Sequence, residues 1–314
     1  MADQKTNHQV QKNFGKSCSS MTENVILLSE KSSGSSIFQR EISKHSKIRT
    51  VEWAPHSEAE TLFWVKAANI MGYPKDAFWR SRPPFPARYS RRSIERILKN
   101  NTETILDNDD DWEFLKSGWE QLIDSFGPVF FEKSPHHLNQ WPALSCINRF
   151  IAETKKDVKF IGLVRNPMSV IYSTQQRWMS GVYERQFMWE QSYRNLLAMQ
   201  QLHPDRMVIL RYEDLIHAPI DEFSRILSFI GLDYEDQIGG DLHANSIEKW
   251  TVDEAFSFTM APSVLLLGKH FGYSEEEMTC ERAVVKKRNP MFSIPRKVMF
   301  RLRSTYKFYR KHVF

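Results

Sequence analysis

Four short apolar runs, each closing on a polar loop that leads into a helical pattern, constrain this chain more than any other feature. They span residues 24–29, 129–131, 158–164 and 207–210. Apolar spacing predicts a helix beginning at Ile37 and others over 56–71, 91–99, 111–126, 144–152, 183–202 and 219–230. Gly72 with Pro74 stops the second of these, and Gly231 stops the last. Strands that alternate with helices form a parallel sheet covered on both faces. The expected fold class is therefore α/β, a central parallel sheet flanked by helices. Ligands of such sheets bind at the carboxyl ends of the strands. The loops after Ser29, Phe131, Val164 and Leu210 all open on that edge.

Composition narrows the functional classes. With 314 residues, 41% of them hydrophobic and 13% aromatic, the chain can bury a sizeable core in one large domain or two smaller ones. No apolar stretch is long enough to span a bilayer. Residues 1–23 are polar, lack the apolar core of a signal peptide and read as a disordered lead-in. Cys18, Cys146 and Cys280 are too few and too scattered for a disulfide framework or a zinc knuckle, which fits a reducing compartment and a cytoplasmic location. The net charge is +5, yet the segment from Lys286 to the C-terminus holds ten Lys and Arg and no Asp or Glu. Basicity therefore belongs to the tail, and the rest of the chain is net acidic.

The run 158–164 is followed at once by Arg165, then by Asn166 at a natural N-cap position and Pro167 at the first helical position. Arg165 then stands at the end of a buried strand beside the positive end of a helix, where a guanidinium fork suits a phosphate. Alone, the pattern equally fits a strand-to-helix turn whose Arg pairs with a surface carboxylate. The loop Lys31-Ser32-Ser33-Gly34-Ser35-Ser36 is a second place to cradle an anion. Gly34 allows close backbone approach, and the following helix supplies N–H groups. It is not a Walker A loop, because the first glycine and the lysine of that pattern are missing.

Together the two segments resemble the sulfotransferases that use 3′-phosphoadenosine 5′-phosphosulfate (PAPS), with closest likeness to the carbohydrate and bacterial branch. In that family a first strand leads into a [KR]-x-G-[ST]-[ST] loop that holds the 5′-phosphosulfate. A later strand ends in Arg, and a Ser eight residues on joins it at the 3′-phosphate. Here Ser33-Gly34-Ser35-Ser36 is similar to the first motif, and Arg165-Asn166-Pro167 with Ser173 to the second. Glu132-Lys133-Ser134-Pro135 resembles the Glu-Lys-[ST]-Pro segment of many members. Arg211-Tyr212-Glu213-Asp214-Leu215 resembles the segment whose Tyr lies against adenine. Arg177 matches a position that assists phosphate binding, and Ser246 with Lys249 a late segment lent to the nucleotide. The resemblance implies a P-loop-like sulfotransferase fold over residues 24–280. It also implies PAPS as co-substrate without a metal, and nucleotide contacts from Lys31, Ser32, Ser33, Gly34, Ser35, Ser36, Arg165, Ser173, Arg177, Tyr212, Ser246 and Lys249.

One departure bears on catalysis. The family's cation stands two residues before the glycine, where this chain has Ser32, and its lysine is one step earlier at Lys31. That cation neutralises the bridging oxygen as the sulfuryl group leaves. Either the loop is rearranged so that Lys31 reaches, or Lys133 takes over, or transfer is impaired. For the base, the segment 56–64 resembles a Lys-Glu-x-x-Phe-[FWY] helix start, with Glu60 at the family's Glu and Ala59 in place of its lysine. His136 and His137 are alternatives. The rival readings are a kinase-like P-loop enzyme and a nucleotide-binding relative that has lost the chemistry.

Other features are weaker. Asp109-Asp110-Asp111 reads as a solvated run capping the next helix. Arg80, Arg82, Arg88, Arg91 and Arg92 form either a solvated basic face or a contact for an anionic acceptor. The tail over 281–314 alternates cations with aromatics, which suits a helix packed on the domain or weak contact with an anionic membrane. No nucleic acid partner is expected. The resemblance implies sulfuryl transfer to a hydroxyl or amine of a carbohydrate, lipid or small-molecule acceptor.

Overall fold

The computed structural model describes residues 23–74, 87–103, 108–243 and 247–282. Strands β1 (Asn24–Ser29), β2 (Ile48–Arg49), β3 (Val129–Lys133), β4 (Val158–Val164) and β5 (Met207–Arg211) form one sheet in the order β2-β3-β1-β4-β5. Every pairing is parallel. Around it lie α1 (Ser35–Ile42), α2 (Phe63–Ile70), α3 (Ala87–Asn101), α4 (Asp111–Ser125), α5 (Trp141–Glu153), α6 (Pro167–Trp178), α7 (Val182–Leu202), α8 (Tyr212–His217), α9 (Pro219–Phe229) and α10 (Pro262–His270). This is the α/β class that the alternating runs predict.

The central strand β1 is buried from end to end and apolar from Val25 to Leu28, because both of its faces are covered. Its side chains alternate between two cores, as the period of a strand requires. Ile26 and Leu28 join Trp64, Trp119 and Trp189 on one face. Val25 and Leu27 join Phe38, Phe223 and Ile226 on the other. Gly162 in β4 lets α7 approach, since a Cβ there would lie 2.9 Å from Leu196 Cδ1. From β1 the chain goes to the β3 side, and from β4 it goes to β5, so a crevice opens between the carboxyl ends of β1 and β4. Ligands of open α/β sheets enter at such a switch point.

The helix expected over 56–71 is shorter, beginning only at Phe63. Glu58, Ala59 and Leu62 have φ of 61°, 54° and 50°, which an α-helix does not allow. Long-range bonds hold this segment open: Leu62 N–H donates to Ser134 Oγ at 3.0 Å, and Thr61 Oγ1 donates to Glu132 Oε1 at 2.8 Å. Glu60 therefore stands in a loop, not on a helix. Strand β2 has two residues, too few for periodicity to show, and α8 and α10 were not foreseen either. Asp110 caps α4 as expected, accepting from Glu113 N–H at 2.8 Å. Among the described residues no helix is long and apolar enough to cross a membrane. Ser246, Arg80, Arg82, the lead-in before Glu23 and the tail beyond Arg282 lie outside the described residues.

Candidate active site

A cleft of about 690 Å³ sits over the crevice between β1 and β4 and is lined by Lys31, Ser32, Gly34, Ser35 and Ser36. That volume is in the range of small-ligand sites. The loop leaving β1 turns sharply, with Ser33 N–H donating to Glu30 C=O at 3.2 Å and Ser32 at φ 62°. Gly34 follows at φ 93° and starts α1, and no side chain caps that helix. The first N–H groups of α1 thus face the loop's concave side, the positive end of the helix. Glycine is required here twice over. Its φ is left-handed, and a Cβ would lie 2.2 Å from Tyr212 Cε2.

The second segment meets this loop at Ser32. Asn166 caps α6 by accepting from Met168 N–H and Ser169 N–H, at 2.9 and 3.2 Å, and Pro167 opens the helix. Arg165, just before the cap, is almost fully buried. It donates from Nη1 to Ser32 C=O at 2.9 Å and lies 4.6 Å over the Tyr212 ring. Burial lowers its pKa, with Tyr212 and Glu213 opposing the shift. A guanidinium starts so high that it stays charged. Ser173, two turns along α6, places Oγ 3.3 Å from Ser32 Oγ. Arg177 lines the same cleft one turn later.

The other end of the loop carries a different set. Lys133, fully buried at the end of β3, donates to Glu60 Oε1 at 2.8 Å and to Ser36 Oγ at 3.4 Å. Lys31 is partly buried, with Nζ 5.9 Å from the centre of the Trp178 ring. Desolvation pulls its pKa down to about 8, and the Glu60 carboxylate partly restores it. His136 also lines the cleft. Burial first, then the charges of Lys31 and its neighbours, holds its imidazole well below the usual range, so it is neutral at pH 7. Behind them Glu132 is fully enclosed. Burial alone would raise its pKa, but His137 and the Ser134 and Thr61 hydroxyls bring it below the usual carboxylate range.

A family model for sulfotransferases matches residues 25–236, which include both loops and all of the five strands except Asn24. The chain belongs to the sulfotransferase family. Among solved structures it is similar to the sulfotransferase domain from the curacin biosynthetic pathway, at 19% identity over 80% of this chain and 97% of that one, with a TM-score of 0.53. It is also similar to the sulfotransferase domain from the Synechococcus PCC 7002 olefin synthase, at 18% identity over 80% and 94% of the two chains, with a TM-score of 0.51. At such identities the likeness concerns the fold, which is the P-loop-like sulfotransferase fold. A comparison with curated proteins by sequence finds no match.

In this sulfotransferase the cleft brings together Lys31, Ser32, Gly34, Ser35, Ser36, Glu60, His136, Arg165, Ser173, Arg177 and Tyr212 from separate segments of the chain. Lys249 lines an adjoining recess of about 270 Å³, which shares Arg165, Ser173 and Arg177 with the main cleft. Ser33 is fully buried and does not line the cleft. His137 is taken up by Glu132 and by the N–H of Trp64. Of the arginines suggested for an acceptor, Arg91 is held by Asp111 and Asn108 C=O, and Arg88 lies over Tyr89. Neither lines the cleft. Sequence reasoning missed Trp178, Arg40, Asp241 and His243, which line it too. The position of Trp178 directly after Arg177 on α6 was the available signal. It also missed Glu30 and Arg185, which no local pattern marks.

Proposed function

We propose that this sulfotransferase transfers the sulfuryl group of PAPS to a hydroxyl or amine of a small-molecule or glycan acceptor. One observation carries the reading: the Gly34 loop is gripped at its two ends by two different sets of groups. Arg165 and Ser173 converge on Ser32, while Lys133 and Glu60 converge beside Ser36. A donor with one phosphate remote from its reacting group needs such a divided site. The guanidinium with the Ser173 hydroxyl suits the 3′-phosphate, and the N–H groups opening α1 with Ser35 and Ser36 suit the 5′-phosphate. Tyr212, packed between Gly34 and Arg165, lines the cleft where the adenine would lie, with Lys249 in the adjoining recess.

In transfer the acceptor oxygen or nitrogen forms a bond to sulfur as the bond from sulfur to the bridging oxygen breaks. The acceptor's proton goes to Glu60, and the electron pair stays on the leaving phosphate, where Lys133 and Lys31 neutralise it. The products are a sulfate ester or sulfamate and adenosine 3′,5′-bisphosphate. Glu60 and Lys133 hold each other at 2.8 Å beforehand, so the donor's phosphate has to draw Lys133 away before the carboxylate is free to act as a base. His136 lines the same cleft, but the burial and nearby cations that lower its pKa make it a poor acceptor for that proton.

Calorimetry tests the donor. Adenosine 3′,5′-bisphosphate binds without Mg²⁺ and ATP binds more weakly; preference for ATP with Mg²⁺ overturns the reading. A second reading, binding without transfer, is favoured by Ser32 at the family's cation position. Labelled sulfate transfer from PAPS to a panel of sugars, phenols and lipids separates the two.

The lysine also sets a pH dependence. Lys31 titrates at about 8 in the free enzyme and binds the anionic donor in its protonated form. Hence kcat/KM for PAPS holds below pH 8 and declines as pH rises through it, since this ratio reports free-enzyme groups. Rate profiles from pH 6 to 9.5 check this. A limb near 8 that survives in Lys31→Met rules out Lys31 as its source.

A further inference from the structure

Side chains of β1 alternate between the two cores, with Ile26 and Leu28 on the side that holds Trp189 and Leu196 of α7. Glu30 continues that even-numbered series one step past the strand, and there the series turns from apolar to charged. Its carboxylate is fully buried. It pairs with the guanidinium of Arg185 on α7, itself buried, and accepts from the Asn139 side-chain amide. The Ser192 hydroxyl, one α7 residue among several reaching this region, stands 2.6 Å from Glu30 Oε2. The Glu30 backbone carbonyl meanwhile accepts from Ser33 N–H and closes the turn. The same helix holds the second loop: Trp189 Nε1 donates to Arg165 C=O at 3.0 Å, and Tyr193 donates to Leu163 C=O at 3.0 Å.

A buried ion pair is weak evidence of stability, since apolar side chains of the same size often serve as well. What this pair does is fix the residue immediately before Lys31. With Glu30 pinned toward α7 and Ser32 turned toward Ser173 and Arg165, the Lys31 side chain is left to the cleft, beside Trp178, Glu60 and His136. We propose that Glu30 and Arg185 are positioning residues that turn Lys31 into the active site and so make good the missing cation at position 32. This rests on the reading that Lys31 serves the sulfuryl end of the donor.

The test reads Lys31 directly. Lysines of the full chain are reductively methylated with ¹³C and titrated by NMR, with Lys31 assigned through Lys31→Arg. In the unaltered protein Lys31 titrates near 8. In the double variant Glu30→Gln/Arg185→Gln, which leaves no lone buried charge, its midpoint moves up by about one pH unit or more, toward a solvated lysine. Arg185→Lys, which keeps the charge and loses the fork, gives a smaller move in the same direction and decides the matter if the double variant does not fold. A Lys31 titration unchanged in the folded variants overturns the proposal, whether or not the protein transfers sulfate. A second readout uses turnover. The double variant lowers kcat about tenfold in the parent protein and adds no loss in a Lys31→Met background; equal losses in both backgrounds mean that the pair does not act through Lys31.

Discussion

Replacing Arg165 by Ala weakens binding of adenosine 3′,5′-bisphosphate by about 2–4 kcal/mol, roughly 30- to 700-fold, the range for removing one member of a buried, hydrogen-bonded charge pair. The size follows from placement. Arg165 is almost wholly buried, held on one side by Ser32 C=O and backed by the Tyr212 ring, so its fork is set before any ligand arrives. Among the described residues that line the two spaces the other lysines and arginines are Lys31, Arg40, Arg177 and, in the adjoining recess, Lys249, and Arg165 bonds directly to the Ser32 backbone. Calorimetry with adenosine 5′-phosphate is the control. Lacking the 3′-phosphate, it loses less than about fivefold in the same variant. Equal losses for the two nucleotides mean that Arg165 supports the loop and does not read the 3′-phosphate.

Turnover is most sensitive to the other end. Lys133→Met lowers kcat by about 10²–10³, the usual cost of removing one donor aimed at developing charge. Affinity for the bisphosphate falls by less than tenfold, because the full leaving charge exists only in the transition state. Lys133 has no solvent exposure, and its ammonium already touches Ser36 at the start of α1 and Glu60 opposite. Lys31 is partly exposed and deprotonates near pH 8, which makes it the lesser cation. Single-turnover measurements with saturating PAPS separate the chemical step from binding. If Lys133→Met keeps kcat and loses only affinity, the lysine binds donor and transition state alike, and the charge falls to Lys31.

Much of this was legible in the chain itself. The strand end at Val164, Arg165 after it, the Asn166 cap, Pro167 at N1 and Ser173 two turns on all lie within ten residues, where capping and helical period act directly. Gly34 was legible as a point of close approach. What approaches it was not: the Tyr212 ring comes from the far end of β5. The helix expected from residue 56 failed because the apolar spacing of 63–71 was extended backwards across Glu58, Ala59 and Leu62, all at positive φ. Glu132, Lys133 and Ser134, at and just past the end of β3, instead bond the Thr61 hydroxyl, the Glu60 carboxylate and Leu62 N–H of this segment.

The amino-acid pattern by itself determined a parallel sheet, the strands that build its core and the two loops that meet at its carboxyl edge. Strand alternation, helix period and capping are local forces, written within a few residues. Tertiary structure alone decided the direction of the charges. Glu60 and Lys133 are 73 residues apart and Glu30 and Ser192 are 162 apart, yet each pair is in contact. Which cation faces the cleft, which carboxylate is paired and how far burial moves Lys31 depend on distances and desolvation that exist only once the sheet has brought these ends together.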